Sequence, residues 1–231
     1  MARINRTELT RLEIIQVASK KFLENGYTTT PIKEISKELN MSPGNLTFHF
    51  PTKEHLLAAL VELLCEFQQK LMDDEAKEGQ SSIMGICLEL MSMAAICEED
   101  EVAKDFFLST YASPLCLEIV RKHDTERAKR VFKEYCPDWT DEHFAEAEIL
   151  ISGIEYATLQ TAGDPVSLEA RIIGALVQIL RIYNVPEEMR NIKMEKVKAM
   201  DYRALGRRIL NEFKRYVDEV NEQAFIELLK G

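Results

Sequence analysis

The stretch TPIKEISKELNMSPGNLTFHFPTKEHLL, residues 30–57, is the most informative part of the chain. Thr30-Pro31 reads as a helix start, with Thr at the N-cap and Pro at the first helical position, where its missing N–H costs nothing. Ile32, Ile35 and Leu39 then give a short helix one apolar face. Asn40-Met41 is a tight break. Ser42-Pro43 repeats the cap-plus-proline start, and Leu46 and Phe50 point inward at i, i+4. Pro51-Thr52-Lys53 ends this helix, and Thr52 caps the next. Two short helices that share an apolar wedge across a four-residue turn describe a helix-turn-helix.

The outer face of the later helix would then hold Pro43, Gly44, Asn45, Thr47, Phe48 and His49, a surface free of acidic residues. A helix that enters the major groove of DNA must not turn carboxylates toward phosphate, and it needs small or amide side chains to reach base edges. Asn45 suits adenine, and Thr47 suits a thymine methyl or a phosphate. The backbone N–H groups from Ser42 to Asn45 form a helix start suited to anions. The same spacing also describes a plain three-helix packing unit in which Thr30 and Ser42 serve only as caps.

Outward from this stretch, residues 7–24 form a helix with Leu12, Ile15, Ala18 and Phe22 on its stripe, stopped at Asn25-Gly26 as a left-handed cap would stop it. The net charge is −10, yet residues 1–53 hold eight Lys or Arg against five Glu, a surplus of +3 that leaves −13 for the rest. A weakly basic head on an acidic body is the asymmetry expected when one end meets a polyanion. Arg3 and Arg6 are either a DNA-reaching arm or a solvated terminus.

With 231 residues, 46% of them apolar, the chain can bury an ample core. Nine Gly and seven Pro argue against loop-dominated β architecture. Five cysteines without C-x-x-C spacing suggest reduced, buried thiols rather than a disulfide framework or a zinc site. The start has no apolar secretory segment. The most apolar run, 83–97, carries Glu89 and is too short to span a bilayer. A soluble cytoplasmic protein with no membrane partner is expected. Beyond residue 53 the 3.6-residue apolar period continues through helices at 53–77, 83–97, 100–111, 114–135, 141–161, 168–183, 187–200 and 202–229, with breaks at 79–82 and 163–165. The fold class is all-α, with a DNA-binding head at 1–53 and a larger helical body at 54–231.

Residues 30–57 resemble the DNA-binding domain of the tetracycline-repressor (TetR) family of bacterial transcription regulators. The family pattern is matched at Ile35, Met41, Ser42, Gly44, Leu46, Phe50, Lys53, Glu54 and Leu56. Ile15, Ala18, Phe22-Leu23 and Gly26-Tyr27 match its first helix, so the likeness covers about residues 9–57. Asn40 replaces the usual turn Gly, which Asn can do because it tolerates the left-handed region. Ser36 and Leu39 replace a small Ala pair, and Thr47 and His49 stand where tyrosines usually touch the DNA backbone. The resemblance implies phosphate contacts from Thr30, His49 and Lys53, and base or sugar contacts from Pro43, Gly44, Asn45, Thr47 and Phe48.

The resemblance also implies a homodimer on a palindromic double-stranded operator and a small-molecule effector of unidentified structure. Dimerisation is expected through 141–161 and 168–183, where Ile149, Ile151, Ile154, Ile172, Ile173, Leu176, Ile179 and Leu180 exceed what one small core requires. A pocket is expected among the central helices, with Met91, Phe107, Tyr111 and Tyr156 as lining candidates, joined by Met84, Met93 and Phe106. An acidic body favours a cationic or neutral ligand. No cofactor and no catalytic or metal site is expected: His49, His55, His123 and His143 lack ligand spacing, and no phosphate loop or G-x-S-x-G occurs. His123-Asp124 and Asp141-Glu142-His143 read as solvated helix-end charges. The rival reading is a ligand-independent architectural DNA binder, and activation is an alternative to repression.

Overall fold

The computed structural model describes residues 6–77, 81–160 and 166–230, without the side chains of 75–77 and 229–230. Arg3, the Gly79-Gln80 break and the 163–165 turn lie outside the described residues. Among those described, eleven helices follow one another: α1 (Arg6–Asn25), α2 (Ile32–Glu38), α3 (Pro43–His49), α4 (Lys53–Lys77), α5 (Ser82–Glu99), α6 (Glu101–Ala112), α7 (Pro114–Phe132), α8 (Asp141–Gln160), α9 (Leu168–Ile182), α10 (Glu187–Lys198) and α11 (Tyr202–Lys230). None of the described helices is long and apolar enough to cross a membrane.

Local chemistry sets the breaks. Gly26 ends α1 at φ +95°, a left-handed conformation in which glycine has no Cβ to clash. Asn40 does the same after α2 at φ +52°. Ser42 caps α3 by accepting from the Asn45 N–H at 3.1 Å, and Pro43 opens it. The start of α2 differs from expectation. Pro31, not Thr30, is its N-cap and supplies no capping side chain. The stripe of α1 is also shifted: Ile14, Ala18 and Phe22 are buried at i, i+4, i+8, while Leu12 and Ile15 are half-buried.

α5 is apolar nearly all round and packs against every helix from α4 to α11, as a core helix must. α1 packs against α2, α4, α6 and α11, so the head is joined to the body by more than one helix. Apolar packing is continuous from Ile14, Phe22, Ile35, Leu46 and Phe50 in the head to Leu56, Leu57 and Leu60 in α4. All five cysteines are buried and unbridged. The apolar surplus of α8 and α9 divides. Ile151, Ile172, Leu176, Ile179 and Leu180 are buried within their own chain, whereas Ile154 and Ile173 are half-covered and Ile149 is 54% exposed. Leu150, 59% exposed, joins the outward set.

Candidate functional site

Two regions hold the residues of interest: the outer face of α3 and the interior of the body. Leu46 and Phe50 anchor α3 from below. Arg11 of α1 clamps its end, with the guanidinium 4.5 Å from the Phe50 ring centre and Nη1 donating to the His49 carbonyl at 2.7 Å. With that underside fixed, Ser42, Pro43, Gly44 and Asn45 lie exposed in the first turn, and Thr47 and His49 are half-exposed behind them. Thr47 Oγ1 donates to the Gly44 carbonyl at 3.1 Å. Phe48 is 78% exposed, its ring edge-on to His49 with centroids 5.3 Å apart. α3 carries no acidic side chain, so its outer face sets no carboxylate against a polyanion. The amide row is shorter than expected, because Pro43 has no N–H and that of Asn45 goes to Ser42.

Seven of the nine expected contact residues thus share one surface, and two stand apart. Thr30 is only 1% exposed, and its hydroxyl donates to the Gly26 carbonyl at 2.7 Å. It closes the α1–α2 loop from inside and presents nothing to a phosphate. Lys53 turns back on the same loop. Its ammonium lies 4.2 Å from the Tyr27 ring centre and 3.5 Å from the Thr28 carbonyl, and burial lowers its pKa below the ordinary lysine value.

Sequence reasoning missed the contacts that fasten this head to the body. Asp105 of α6 accepts from the Thr28 N–H at 2.8 Å. Ser113, between α6 and α7, donates to Glu54 in the first turn of α4. His123 of α7 meets Glu62 of α4 at 2.8 Å. α4 is therefore gripped along its first half by the two helices that lead into the body interior.

Two small cavities among the described residues of that interior share Glu89. One, of about 30 Å³, is mainly apolar and is lined by Phe67, Met93, Ile96, Phe107, Leu210 and Phe213, with Gly206 of α11 at its wall. Phe107 and Met93 were expected pocket residues and lie here. The other, of about 20 Å³, is bounded by Glu89, Asp124, Arg127, Glu148, Glu155 and Tyr183. The Arg127 guanidinium pairs with both oxygens of Glu89 at 3.0 Å and also with Asp124. Tyr183 donates to Glu148, and Tyr111 to Glu155 at 2.9 Å. Tyr111, an expected pocket residue, thus stands behind the acidic cavity, with the half-buried Tyr156 stacked on it at 6.5 Å. Met91, Met84 and Phe106 are fully buried and line neither cavity.

The expectation that Asp124 is a solvated helix-end charge is overturned: it is buried in the middle of α7. Desolvation governs the whole cluster. Burial pushes Glu89 up to about 7 and Glu148 up to about 8, and it raises Asp124 and, further, Glu155. Burial alone would lower Arg127, but Glu89 and Asp124 more than reverse it and hold the guanidinium charged. The sequence carried one usable sign: Glu89 interrupts an otherwise apolar run.

The sequence profile described as "Bacterial regulatory proteins, tetR family" matches residues 14–60. YuxN of Bacillus subtilis, named an uncharacterized HTH-type transcriptional regulator, is 42% identical over 48 residues, 21% of this chain and 16% of that one. QacR of Staphylococcus aureus, named an HTH-type transcriptional regulator, is 41% identical over 51 residues, 22% of this chain and 27% of that one. The match therefore spans between a sixth and a little over a quarter of these relatives' own length. A crystal structure of RolR in complex with the ligand resorcinol superposes with a TM-score of 0.65 at 20% identity, covering 83% of this chain and 96% of that chain, a likeness of fold.

Proposed function

Residues 14–60 make this chain a member of the tetR family of bacterial regulatory proteins, and from that premise we propose that it is a homodimeric, effector-responsive repressor acting on a palindromic DNA operator in the cytoplasm. Residues 1–53 form the DNA-binding unit and 54–231 the sensing and pairing unit. The observation that carries this reading is the outer face of α3: exposed, free of acid, capped by Ser42 and held from below by Leu46, Phe50 and Arg11. Its first turn enters the major groove. Asn45 and Thr47 read base edges, Phe48 packs on a thymine methyl or sugar, and Ser42 and His49 hold phosphate.

Pairing uses the outward face of α8 and α9. Ile149 and Leu150, exposed, and Ile154 on α8 with Ile173 and Val177 on α9, half-buried, leave an apolar stripe only partly covered within the chain. Gly153 and Gly174 lie on these stripes, and an added Cβ at either would meet nothing within 4 Å, so a partner helix can approach closely. Two copies joined there bring two heads to one duplex, and a two-fold protein requires a two-fold site.

Sensing follows from linkage. Heads must sit about 34–36 Å apart to read successive turns of DNA. A ligand that binds better to a body holding the heads at another spacing lowers DNA affinity by that preference. α4 is the link, seated on the head at Lys53 and gripped by α6 and α7 through Glu54 and Glu62. The body cavities favour this reading over a ligand-independent architectural binder, and RolR, of like fold, is seen with a small-molecule ligand.

The test is selection of bound duplexes from a random pool with purified full-length protein, repeated across salt. A palindrome with half-sites about one helical turn apart, and affinity that falls steeply with salt, is the expected result. Sequence-blind binding, or none, overturns the reading.

A further inference from the structure

We propose that the body binds an amphipathic organic cation, with its protonated amine in the acidic cavity beside Glu148 and Glu155 and its apolar part in the neighbouring cavity across Glu89. This rests on the reading of the body as a sensor and adds the chemical class of what it senses. Around the acidic cavity stand four carboxylates and one guanidinium. Arg127 is committed to Glu89 and Asp124. Glu148 and Glu155 are left facing the space with one phenol each, from Tyr183 and Tyr111. A carboxylate has about four acceptor sites, so both retain capacity for further donors.

A second observation is independent of the acids. Arg127 is 5% exposed and lines the cavity, yet its Nε has no hydrogen-bond partner among the described residues. A buried donor without an acceptor is costly, and a ligand that carries a hydroxyl or carbonyl next to its amine satisfies it. Stability alone does not explain such a cluster, since apolar side chains of similar volume commonly serve as well or better. The acids do not converge as metal ligands would: among the described residues no three His, Cys, Asp or Glu side chains are arranged to hold a metal ion.

The apolar cavity fixes the rest of the ligand. It adjoins the acidic one at Glu89 and is walled by Phe67, Phe107, Phe213 and the pliant Met93. Each cavity now takes a water-sized group, so entry requires side chains to yield. Met93 is the readiest, since its unbranched thioether is held by no polar contact stronger than the Gln68 amide at 3.9 Å among the described residues. When the cation enters, Glu148 and Glu155 ionise against it, and their protons pass to the buffer. The groups that face them are Glu89 from α5, Asp124 and Arg127 from α7, Tyr111 from α6 and Tyr183 after α9.

Calorimetry of the full-length protein with three matched probes decides the matter: 4-phenylbutylamine, 4-phenylbutan-1-ol and 4-phenylbutyrate, at pH 7 in phosphate and in Tris. The amine is expected to bind about tenfold or more tightly than the alcohol, with a buffer-dependent heat that reports proton release. The carboxylate is expected not to bind. In Glu148→Gln/Glu155→Gln the preference for the amine falls below about threefold and proton release disappears. An amine that does not bind, an alcohol that binds as well, or a preference that survives the double substitution overturns the proposal; the wild-type comparison decides alone if that variant does not fold. Operator binding is measured separately. DNA recognition without amine preference refutes this inference only, whereas failure of DNA recognition refutes the regulatory reading and leaves the calorimetry to decide the cavity.

Discussion

Phe48 shows how one side chain can matter for binding and hardly at all for folding. It is 78% exposed on α3, and its ring pairs with that of His49. Phe48→Ala is therefore expected to leave the melting temperature within about a degree, since surface changes away from packing cost little. If α3 reads DNA as proposed, the same change removes an apolar contact, and operator affinity is expected to fall about tenfold, with a change at one base position of the half-site. Titration of the selected operator and a mutated set checks this; equal affinity for wild type and variant refutes a role for Phe48 in readout. Thr30 is the contrasting residue. Its sequence position suggested both a cap and a phosphate contact, but the turn after Gly26 swings its hydroxyl inward to the Gly26 carbonyl. A cap assignment rests on one dipeptide, whereas the hydroxyl's direction depends on how the whole loop closes. Asn40 was readable because φ +52° is a property of a single residue that few side chains tolerate.

Among the elements, α8 carries the clearest consequence. Glu148 and Glu155 are seven residues apart, on the same buried face as Phe144, Ile151 and Thr158. Glu148 titrates near 4.5 when unfolded and near 8 when folded, so the folded state keeps a proton that the unfolded state has lost. Stability from this source is complete below pH 4.5 and is lost as pH rises toward 8. Urea unfolding is expected to show the protein less stable at pH 8 than at pH 5.5, with about 2–3 kcal/mol of the difference from Glu148 alone. Glu148→Gln reduces that dependence by its own share and leaves the part due to Glu89, Asp124 and Glu155; a wild-type profile already flat over the interval refutes the burial argument. The sequence made every helix legible within a few residues, because caps and the apolar period are local. It did not show which carboxylates are inside. Glu89, Glu148 and Glu155 take their partners from residues 38, 35 and 44 positions away, on other helices. A period count sees charges on one helix and assigns them to solvent. The phase error in α1, where Ile14 rather than Ile15 leads the stripe, has a related cause: α11 and α6 pack there, and neither is visible from α1 alone.

At the scale of the molecule, the outward stripe of α8 and α9 predicts assembly. Ile149→Arg/Leu150→Arg places two charges where the single chain leaves more than half of each side chain exposed, so the fold is expected to be retained while pairing is lost. Sedimentation is expected to give a dimer for the wild type and a folded monomer for the variant, with operator affinity lower by about a hundredfold or more because two half-sites no longer act together. A wild-type monomer, or a variant that still pairs through other surfaces, refutes this interface. The helix α11, like α4 and α6, links the head to the apolar cavity of the body. It supplies Gly206, Leu210 and Phe213 to the apolar cavity and also packs on α1 of the head. It is synthesised after everything it touches. A ribosome that has finished α10 has made α3 and the buried acids, but neither the α11 wall of the apolar cavity nor the α11 support of the head. On the proposed function, termination or clipping before Tyr202 weakens ligand response and DNA grip together, so a shortened product would not hold the operator while deaf to the signal.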